Sequence, residues 1–384
     1  MNNIIPTANL GTPVEVNVAA IEKELRAFWK TAGETGQGAV LRACSCNLLA
    51  FVQNREKAAT FVPILAKVSE WHPNRSVIAY IEPDEISDAR DMHAWISAQC
   101  SAPFSGGPQV CCEAITLSAH SNARLNLPDA LLALVVPDLP VYLYWRSFRI
   151  TDKELMERMA RSSNLLIVDS HQSREDPQNR LQILQLLVDQ PAGIAMRDLN
   201  WSRLTAWRDL IAQFFDSPAT SRYVYEISEV EITRNLSAPG SIPTRTLLLT
   251  GWLASSLGWQ RISAERSGDR WSSRWMSGTG EVRVNFTGTE YQSRQVPGIS
   301  SVTLRAGDKA EFSVFVEQGS HSFSAISSVG GSGLIHSVPE EALDEASLLI
   351  RELSQAGEDV VFKAALAEAY ELEKVFRHPS SLRV

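Results

Sequence analysis

The chain lacks an excess of positive charge, because 44 Asp and Glu residues outnumber 36 Lys and Arg residues among its 384. The formal net charge is -8, whereas a protein that binds nucleic acid or an anionic membrane usually presents a positive surface. The sequence also lacks any uninterrupted apolar run near the length of about 18 residues that predicts a membrane-spanning helix. We therefore expect neither nucleic acid nor a membrane as a partner.

The first residues, "MNNIIPTANLGTPVEV", contain no basic segment followed by an apolar one, so the sequence shows no secretory signal and predicts a cytoplasmic protein. Cysteine is scarce: the chain has five, at positions 44, 46, 100, 111 and 112. An odd and small number for this length fits a reducing compartment better than a disulfide framework.

Sequence motifs for cofactors and metals are missing as well. There is no G-x-G-x-x-G sequence after a strand and no phosphate-binding G-x-x-x-x-G-K-[ST] sequence. The nearest approximations, "SGTGE" and "VGGSGL", lie outside a strand–helix context, and glycines of turns explain them. The seven histidines are scattered, without the spacing that lets two imidazoles hold one ion. We expect no cofactor and no metal.

Strand-like and helical segments alternate through the first half of the chain. The predicted strands are "VLRACSCNLLAFVQ", "RSVIAYIEP", "QVCCEAITLSA", "LPVYLYW" and "NLLIVDS". The predicted helices include "REKAATFVPILAKVSEW", "DEISDARDMHAWISAQC" and "PQNRLQILQLLVDQ". This alternation is typical of a mostly parallel sheet flanked by helices. It predicts an α/β N-terminal domain over residues 1–192.

The pattern changes in the second half. Strand-like runs such as "RWSSRWM", "EVRVNFTG", "SSVTLRA" and "AEFSVFVEQG" follow one another at short spacing, separated by turn sequences. Two helical segments, "PEEALDEASLLIRELSQAG" and "DVVFKAALAEAYELEKVF", end the chain. The pattern predicts an α+β C-terminal domain over residues 193–384, with an antiparallel sheet and terminal helices.

Five residues of the first half are candidates for a pocket or an interface. Asp138 lies between two prolines in "VPDLP", Trp145 and Arg146 end one predicted strand, and Asp169 and Ser170 end the next. Open α/β sheets bind ligands at the carboxyl ends of their strands. Because no G-x-S-x-G sequence surrounds Ser170, roles in turns and helix caps are favoured over nucleophilic catalysis there.

Trp145 and Arg146 face opposite sides of their strand, so two interpretations stay open. They can offer a stacking plane and an anion clamp, or they can be a core aromatic residue and a charge at the rim. The usual burial of these residue types favours the second interpretation. We expect no catalytic residue among the five.

Four cysteines are candidates for redox chemistry. On a single strand Cys44 and Cys46 would point to the same face, whereas Cys111 and Cys112 would point to opposite faces. If the two strands were neighbours, one thiol from each could meet and form a switch. Buried structural thiols are the favoured interpretation, because free cysteine is among the most buried residue types.

Tryptophan is frequent, and many of the ten tryptophans lie close to an arginine. Both residue types are enriched at the centres of protein–protein interfaces, so exposed members of this set are candidates for contact with a partner. Ordinary use in the core is the alternative. The members in question are Trp71, Trp145, Trp201, Trp207, Trp259, Trp271 and Trp275.

Three segments together resemble a known family. "RACSCNLLAFV", then "LPDALLALVVPDLPVYLYWR", then "LLIVDS" look like the glucose-6-phosphate dehydrogenase assembly protein (OpcA) family, over most of residues 40–260. The resemblance implies a non-catalytic, cytoplasmic partner of glucose-6-phosphate dehydrogenase. Such a partner favours the active oligomer, activates it allosterically, and supports NADPH production in the oxidative pentose phosphate pathway. It also implies redox control through cysteines of this type of protein.

A different class of function stays open at this point. An enzyme or a metabolite sensor could bind a sugar phosphate or nucleotide at the carboxyl edge of the N-terminal sheet. That alternative requires Asp138, Arg146, Asp169 and Ser170 to converge on one pocket.

Overall fold

A computed structural model describes most of the chain. The described residues are 13–34, 40–82, 92–101, 109–147, 152–171, 177–189, 194–235, 242–267, 270–289, 298–317, 322–339 and 343–377. Among them, no helix combines the length and the apolar character that crossing a membrane requires.

The chain packs as two units that are not continuous in sequence. The first contains Met1–Asp169, Pro191–Arg197 and Asp344–Glu358, and the second contains Ser170–Gln190, Asp198–Leu343 and Asp359–Val384. The helix Glu345–Leu353, near the end of the described chain, therefore packs within the first unit. The boundary between residues 192 and 193 that the sequence predicts for the two domains remains a prediction.

The first unit is built on one mixed sheet. Its strands are β1 (Val14–Val16), β2 (Val40–Arg42), β3 (Cys46–Phe51), β4 (Asn74–Ile81), β5 (Met92–Ser101), β6 (Gln109–Ala119), β7 (Val141–Trp145), β8 (Leu165–Val168) and β9 (Ala195–Asp198, whose last residue falls in the second unit). Its helices are α1 (Ile21–Glu34), α2 (Arg55–Trp71), α3 (Leu127–Leu132), α4 (Lys153–Arg161) and α9 (Glu345–Leu353).

The strand order in this sheet is β1-β5-β6-β4-β3-β7-β8-β9, with β2 also pairing β6. The pairs β3–β4, β3–β7, β4–β6, β7–β8 and β2–β6 are parallel, whereas β1 and β5 join antiparallel at one end. The central strands are apolar on both faces, and β3 and β8 are buried along their whole length. This is the burial expected of parallel strands covered on both sides.

One predicted helix is a strand instead. The segment "DEISDARDMHAWISAQC" was expected to be helical; its residues 84–91 lie outside the described part of the chain, and Met92–Ser101 forms β5. β5 pairs with β6 over its whole length and with β1 on its other side. Pairing with two neighbours outweighs the helix propensity of residues such as Ala94 and Ala98, because strand preference depends strongly on tertiary context.

The second unit contains a mostly antiparallel sheet of eight described strands and its own helices. The strands are β10 (Glu229–Asn235), β11 (Gln260–Ser267), β12 (Arg270–Met276), β13 (Glu281–Thr289), β14 (Gly298–Ala306), β15 (Ala310–Val316), β16 (Ser322–Val329) and β17 (Ser332–Pro339). The helices are α5 (Pro177–Val188), α6 (Leu199–Ser202), α7 (Thr205–Gln213), α8 (Thr244–Leu257) and α10 (Val360–Arg377). The strand order is β11-β12-β13-β10-β14-β15-β16-β17, and all pairs are antiparallel except β10–β13.

Helices cover one face of this sheet. α10 packs on α8, and the two backbones approach so closely that a Cβ at Gly251 would lie 2.2 Å from the carbonyl oxygen of Ala365. Phe376 of α10 meets the ring of Trp271 at 4.9 Å, and Phe214 and Phe215 after α7 pack on Phe312. An α/β first unit and an α+β second unit are thus present, which confirms the predicted fold class.

Candidate functional site

Trp145 at the end of β7 is part of the core of the first unit. Its side chain is 3% exposed. Its ring stacks on that of Phe51, the residue opposite it on β3, with centroids 4.2 Å apart and an interplanar angle of 10°. The indole face that sequence reasoning considered for stacking on a ligand is therefore occupied by a neighbouring strand.

Arg146 makes a two-pronged ion pair with Glu345 of α9. Its Nε donates to Glu345 Oε1 at 2.5 Å and its Nη2 donates to Oε2 at 2.7 Å, while the guanidinium lies 5.1 Å from the ring centre of Phe61. Tyr144 donates its hydroxyl to the same carboxylate at 2.6 Å. Burial, and then the charge of Glu345, raises the pKa of Tyr144 well above its ordinary value. The anion held by Arg146 is thus a side chain of this chain.

Asp138 lies at the other end of β7 from Arg146. It is exposed and has a φ of 65°, the left-handed region that Asn and Asp tolerate better than most residues. Asn47 of β3 holds the surrounding turn: its Nδ2 donates to the carbonyl of Val136 at 3.0 Å, and its Oδ1 accepts from the Val136 N–H at 2.7 Å. The Asn47 N–H donates to the carbonyl of Pro140 at 2.8 Å.

Asp169 and Ser170 follow β8 and belong to different units. Asp169 is 2% exposed, in the first unit. In the second unit, Ser170 donates its hydroxyl to Asp198 Oδ2 at 2.5 Å and accepts from Asn200 Nδ2 at 3.0 Å. Asp198 also caps α6 by accepting from the Asn200 N–H at 2.9 Å. The Ser170 hydroxyl is therefore engaged in a helix-cap cluster.

The neighbouring histidine, His171, lies beside Arg245 of α8. His171 Nδ1 lies 3.4 Å from Arg245 Nη2, and Arg245 Nε donates to Asn200 Oδ1 at 3.0 Å.

Within the first unit, Asp138 and Arg146 are separated by the five-residue strand β7, about 17 Å at the usual rise. The structure does not bring these two residues together at one edge of the sheet.

The segment "RACSCNLL" positions other parts of the first unit. Arg42 on β2 makes a 2.7 Å ion pair with the buried carboxylate of Glu113 on β6. The same carboxylate binds Arg75, whose Nη2 lies 2.6 Å from Oε2, and accepts a 2.6 Å hydrogen bond from Trp29 Nε1. Sequence reasoning missed Glu113 and Glu345, because their partners lie far along the chain. The local signal for Glu113 was a charged residue within the mostly apolar strand β6.

The cysteines differ from the expected arrangement. "VLRACSCNLLAFVQ" is not one strand, because Ala43–Ser45 separate β2 from β3, and so Cys44 and Cys46 do not share a strand face. Cys44 donates its thiol to the carbonyl of Cys46 at 3.3 Å. Cys111 forms a disulfide with Cys100, which lies directly opposite on β5. The prediction missed this bond because it placed Cys100 on a helix.

The remaining thiols are sheltered. Cys46 and Cys112 are buried and Cys44 is half-buried. Burial is the largest influence on all three, and it raises the pKa of Cys46 to about 12 and raises those of Cys44 and Cys112 as well. At neutral pH these groups are therefore thiols, and the thiolate needed for disulfide exchange is scarce.

Most tryptophans of the candidate set are buried. Trp71 at the end of α2 is 72% exposed. The other six are at most 6% exposed; they are Trp145, Trp201, Trp207, Trp259, Trp271 and Trp275. Arginines lie over the rings of two of them: Arg208 is 3.6 Å from the ring centre of Trp201, and Arg266 is 4.5 Å from that of Trp271. The largest exposed apolar side chains of the second unit lie elsewhere, and they include Leu334 and Ile335 of β17 and Tyr225.

A cavity of about 430 Å³ lies at the amino ends of β7, β8 and β9 in the first unit. Its lining includes Pro140, Tyr142, Asn164, Ala195, Gly357 and Glu358. The cavity is thus at the edge of the sheet opposite to the one that sequence reasoning chose. Among the described residues, no three His, Cys, Asp or Glu side chains form a set that could hold a metal ion.

Two family models match this chain. The model described as glucose-6-phosphate dehydrogenase subunit N-terminal domain matches residues 66–185, and the one described as the C-terminal domain of that subunit matches residues 194–366. Together they cover more than half of the sequence. The chain belongs to the OpcA family of glucose-6-phosphate dehydrogenase assembly proteins. Since the OpcA C-terminal model continues to residue 366, the relationship extends well beyond the range of about 40–260 inferred from sequence, and includes α9 and part of α10.

Curated relatives support the same family. The chain is 37% identical over 178 residues to a Nostoc punctiforme protein and 33% identical over 188 residues to one of Synechococcus elongatus, both named as OpcA proteins of the OxPP cycle. These alignments cover 46% and 48% of the chain, but only 37% and 40% of the relatives. The matched part therefore spans about two fifths of the length of those OpcA proteins.

Among solved structures, the chain is similar to an aldose–aldose oxidoreductase from Caulobacter crescentus. The TM-score is 0.47 and the identity 11%, over 88% of this chain and 98% of that one. A likeness at this level carries no argument about activity.

Proposed function

We propose that the chain is a non-catalytic assembly factor of glucose-6-phosphate dehydrogenase that also activates the enzyme allosterically. The observation that carries the proposal is the match of both OpcA domain models, which are described as a subunit of that dehydrogenase. The proposal includes a cytoplasmic location and support of NADPH production in the oxidative pentose phosphate pathway.

The contacts of the candidate residues support a binding role over chemistry. Arg146 is held by Glu345, Ser170 is held by Asp198, and Trp145 is stacked on Phe51. Each side chain is used to hold its own unit together. A sugar-phosphate enzyme or sensor at the carboxyl edge would need Arg146 available for an anion and Asp138 nearby, and these contacts favour the assembly role instead.

As an allosteric activator, the chain must bind the active state of the dehydrogenase more tightly than the inactive one. A partner shifts such an equilibrium only by its difference in affinity, typically about 1 to 3 kcal/mol, or about 5-fold to 150-fold. Preference for one oligomeric state supplies this difference directly, because the chain then stabilises that state by mass action.

The experiment is light scattering on the mixed proteins after size-exclusion chromatography. We expect the two proteins to elute together, with a mass that shows the dehydrogenase shifted to a larger oligomer. Separate elution at concentrations up to about 50 µM, a value in the range of weak protein–protein affinity, contradicts the proposal. NADPH formation by the chain alone from glucose 6-phosphate and NADP would contradict its non-catalytic part.

A further inference from the structure

The last described strand of the second unit's sheet, β17, is uncharged and exposes apolar side chains on both of its faces. β17 is the last strand in the described order of the sheet and pairs with β16. Leu334 and Ile335, which point to opposite faces, are 68% and 69% exposed, and Val338 is 40% exposed. Inner strands of the same sheet bury their apolar side, as β12 does with Trp271 and Trp275.

The cover provided by the helices stops one strand short of this end. Val338 lies opposite Phe323 of β16, which is 3% exposed and touches Trp207 of α7 at a centroid distance of 5.1 Å. Leu334 lies further along the same face of β17, where it is largely exposed. On the other face, Ile335 lies opposite Ile326 of β16.

The hairpin that carries β17 lacks the charged side chains that usually protect an edge strand, although β17 ends in a proline, Pro339. Residues 322–339 contain no Asp, Glu, Lys or Arg. Soluble proteins commonly place such charges on edge strands to prevent pairing with other chains. The hairpin itself is well defined, because Gly330 and Gly331 have φ values of 56° and 84°, as a tight two-residue turn requires.

We propose that β17 is the edge to which an extended segment of the dehydrogenase adds as a further strand. This inference rests on the proposed function, because it names the surface through which the dehydrogenase is bound. Every second residue of an antiparallel edge strand turns its N–H and C=O groups away from the sheet, where they can pair with another chain. The exposed Leu334 and Val338 on one face and Ile335 on the other supply apolar contacts.

The chemistry of the strand defines the segment that it accepts. Since residues 322–339 carry no charged side chain, the matching segment has uncharged residues where it pairs, with apolar side chains at alternate positions. A second copy of this chain is disfavoured as the occupant, because two copies with a formal charge of -8 each repel one another. The family model that contains β17 is also described as part of a dehydrogenase subunit.

The test compares two edges of one sheet. In the test variant Leu334→Lys and Ile335→Lys are combined, since lysine is tolerated at exposed edge positions. The control is Ile262→Lys in β11, an exposed apolar position on the opposite edge strand. Affinity for the dehydrogenase is measured for each by biolayer interferometry, and circular dichroism verifies the fold. Amide hydrogen exchange of residues 332–339 in the unaltered chain, with and without dehydrogenase, gives a readout that needs no variant.

We expect the double variant to bind at least 10-fold more weakly, the control to bind within 2-fold, and alternate amides of β17 to exchange more slowly in the complex. If the unaltered chain binds but the double variant binds within 2-fold, or the amides are unchanged, the inference is wrong while the proposed function stands. If the unaltered chain does not bind, the proposed function fails. Protection that rises with the concentration of this chain alone would identify a second copy as the occupant and overturn the proposal.

Discussion

Replacing Glu345 by alanine should destabilise the first unit, because Arg146 and Tyr144 both rely on its carboxylate. The side chains of Arg146 and Glu345 are 11% and 18% exposed. Removing one partner of a buried ion pair costs about 3 to 5 kcal/mol, since the other charge is left without compensation. Water reaches a partly exposed pair, which lowers this cost, and an unpaired Tyr144 hydroxyl adds about 1 kcal/mol. We therefore expect a loss of about 3 kcal/mol.

The measurement must report on the first unit alone, because a chain with two units need not unfold in a single step. Native-state hydrogen exchange of amides in β7 meets this need, with amides of α8 in the second unit as an internal reference. The matched variant combines Arg146→Met with Glu345→Leu, which removes both charges at once. We expect it to lose less stability than Glu345→Ala, since no buried charge is stranded.

Two results would refute this reasoning. One is a change below about 0.5 kcal/mol for Glu345→Ala, the size of an ordinary surface substitution. The other is a double variant whose loss equals the sum of the losses of Arg146→Met and Glu345→Leu, because groups that interact do not behave additively.

Three further predictions address packing, thiols and pH. Gly251→Ala should destabilise the second unit by about 3 kcal/mol because its Cβ would strike the backbone of α10, whereas Gly278→Ala, with open space around it, should change stability by less than about 0.5 kcal/mol in urea unfolding. Iodoacetamide should modify the unreduced native protein at Cys44 at most, and mass spectrometry after unfolding should count three adducts without reductant and five with it; rapid native labelling of Cys46 would contradict the burial described above. The pKa of Asp344 is lowered from 3.8 to about 2, first by the hydrogen bond from Lys67, so its contribution to stability is present above pH 3.8 and is lost as the pH falls towards 2. Asp344→Asn should therefore reduce the change in the urea midpoint across this pH range, and an unaltered acid profile would contradict the assignment.

Local patterns in the sequence suffice for much of the fold. The segment "REKAATFVPILAKVSEW" was predicted as a helix, and α2 has the same bounds, Arg55–Trp71. In the structure Asn54 caps its N-terminus, and one of its faces is buried. The short apolar strand β8 and the long strand β6 were also recognisable from their composition. Such elements carry their signal within their own residues, so that one sequence window is enough to identify them.

The remaining features depend on residues far apart in the sequence. β5 is a strand because β1 and β6 pair with it, and its own polarity pattern does not show this. The partner of Arg146 lies 199 positions further along the chain. The exposure of β17 depends on where the helices of its unit end, and so its sequence alone marks it only as a stretch without charges. For the candidate site, sequence therefore identified polar residues but not their partners.

The central claim is that this chain acts on glucose-6-phosphate dehydrogenase by binding one state of it more tightly. The most direct measurement is the apparent affinity of the dehydrogenase for glucose 6-phosphate, determined from initial rates of NADPH formation over a concentration series of this chain. We expect this apparent affinity to change by about 5-fold to 150-fold at saturation. We also expect glucose 6-phosphate to change the Kd between the two proteins in the same direction, since binding linkage is reciprocal. An affinity for the substrate that stays constant across the whole series would contradict the account.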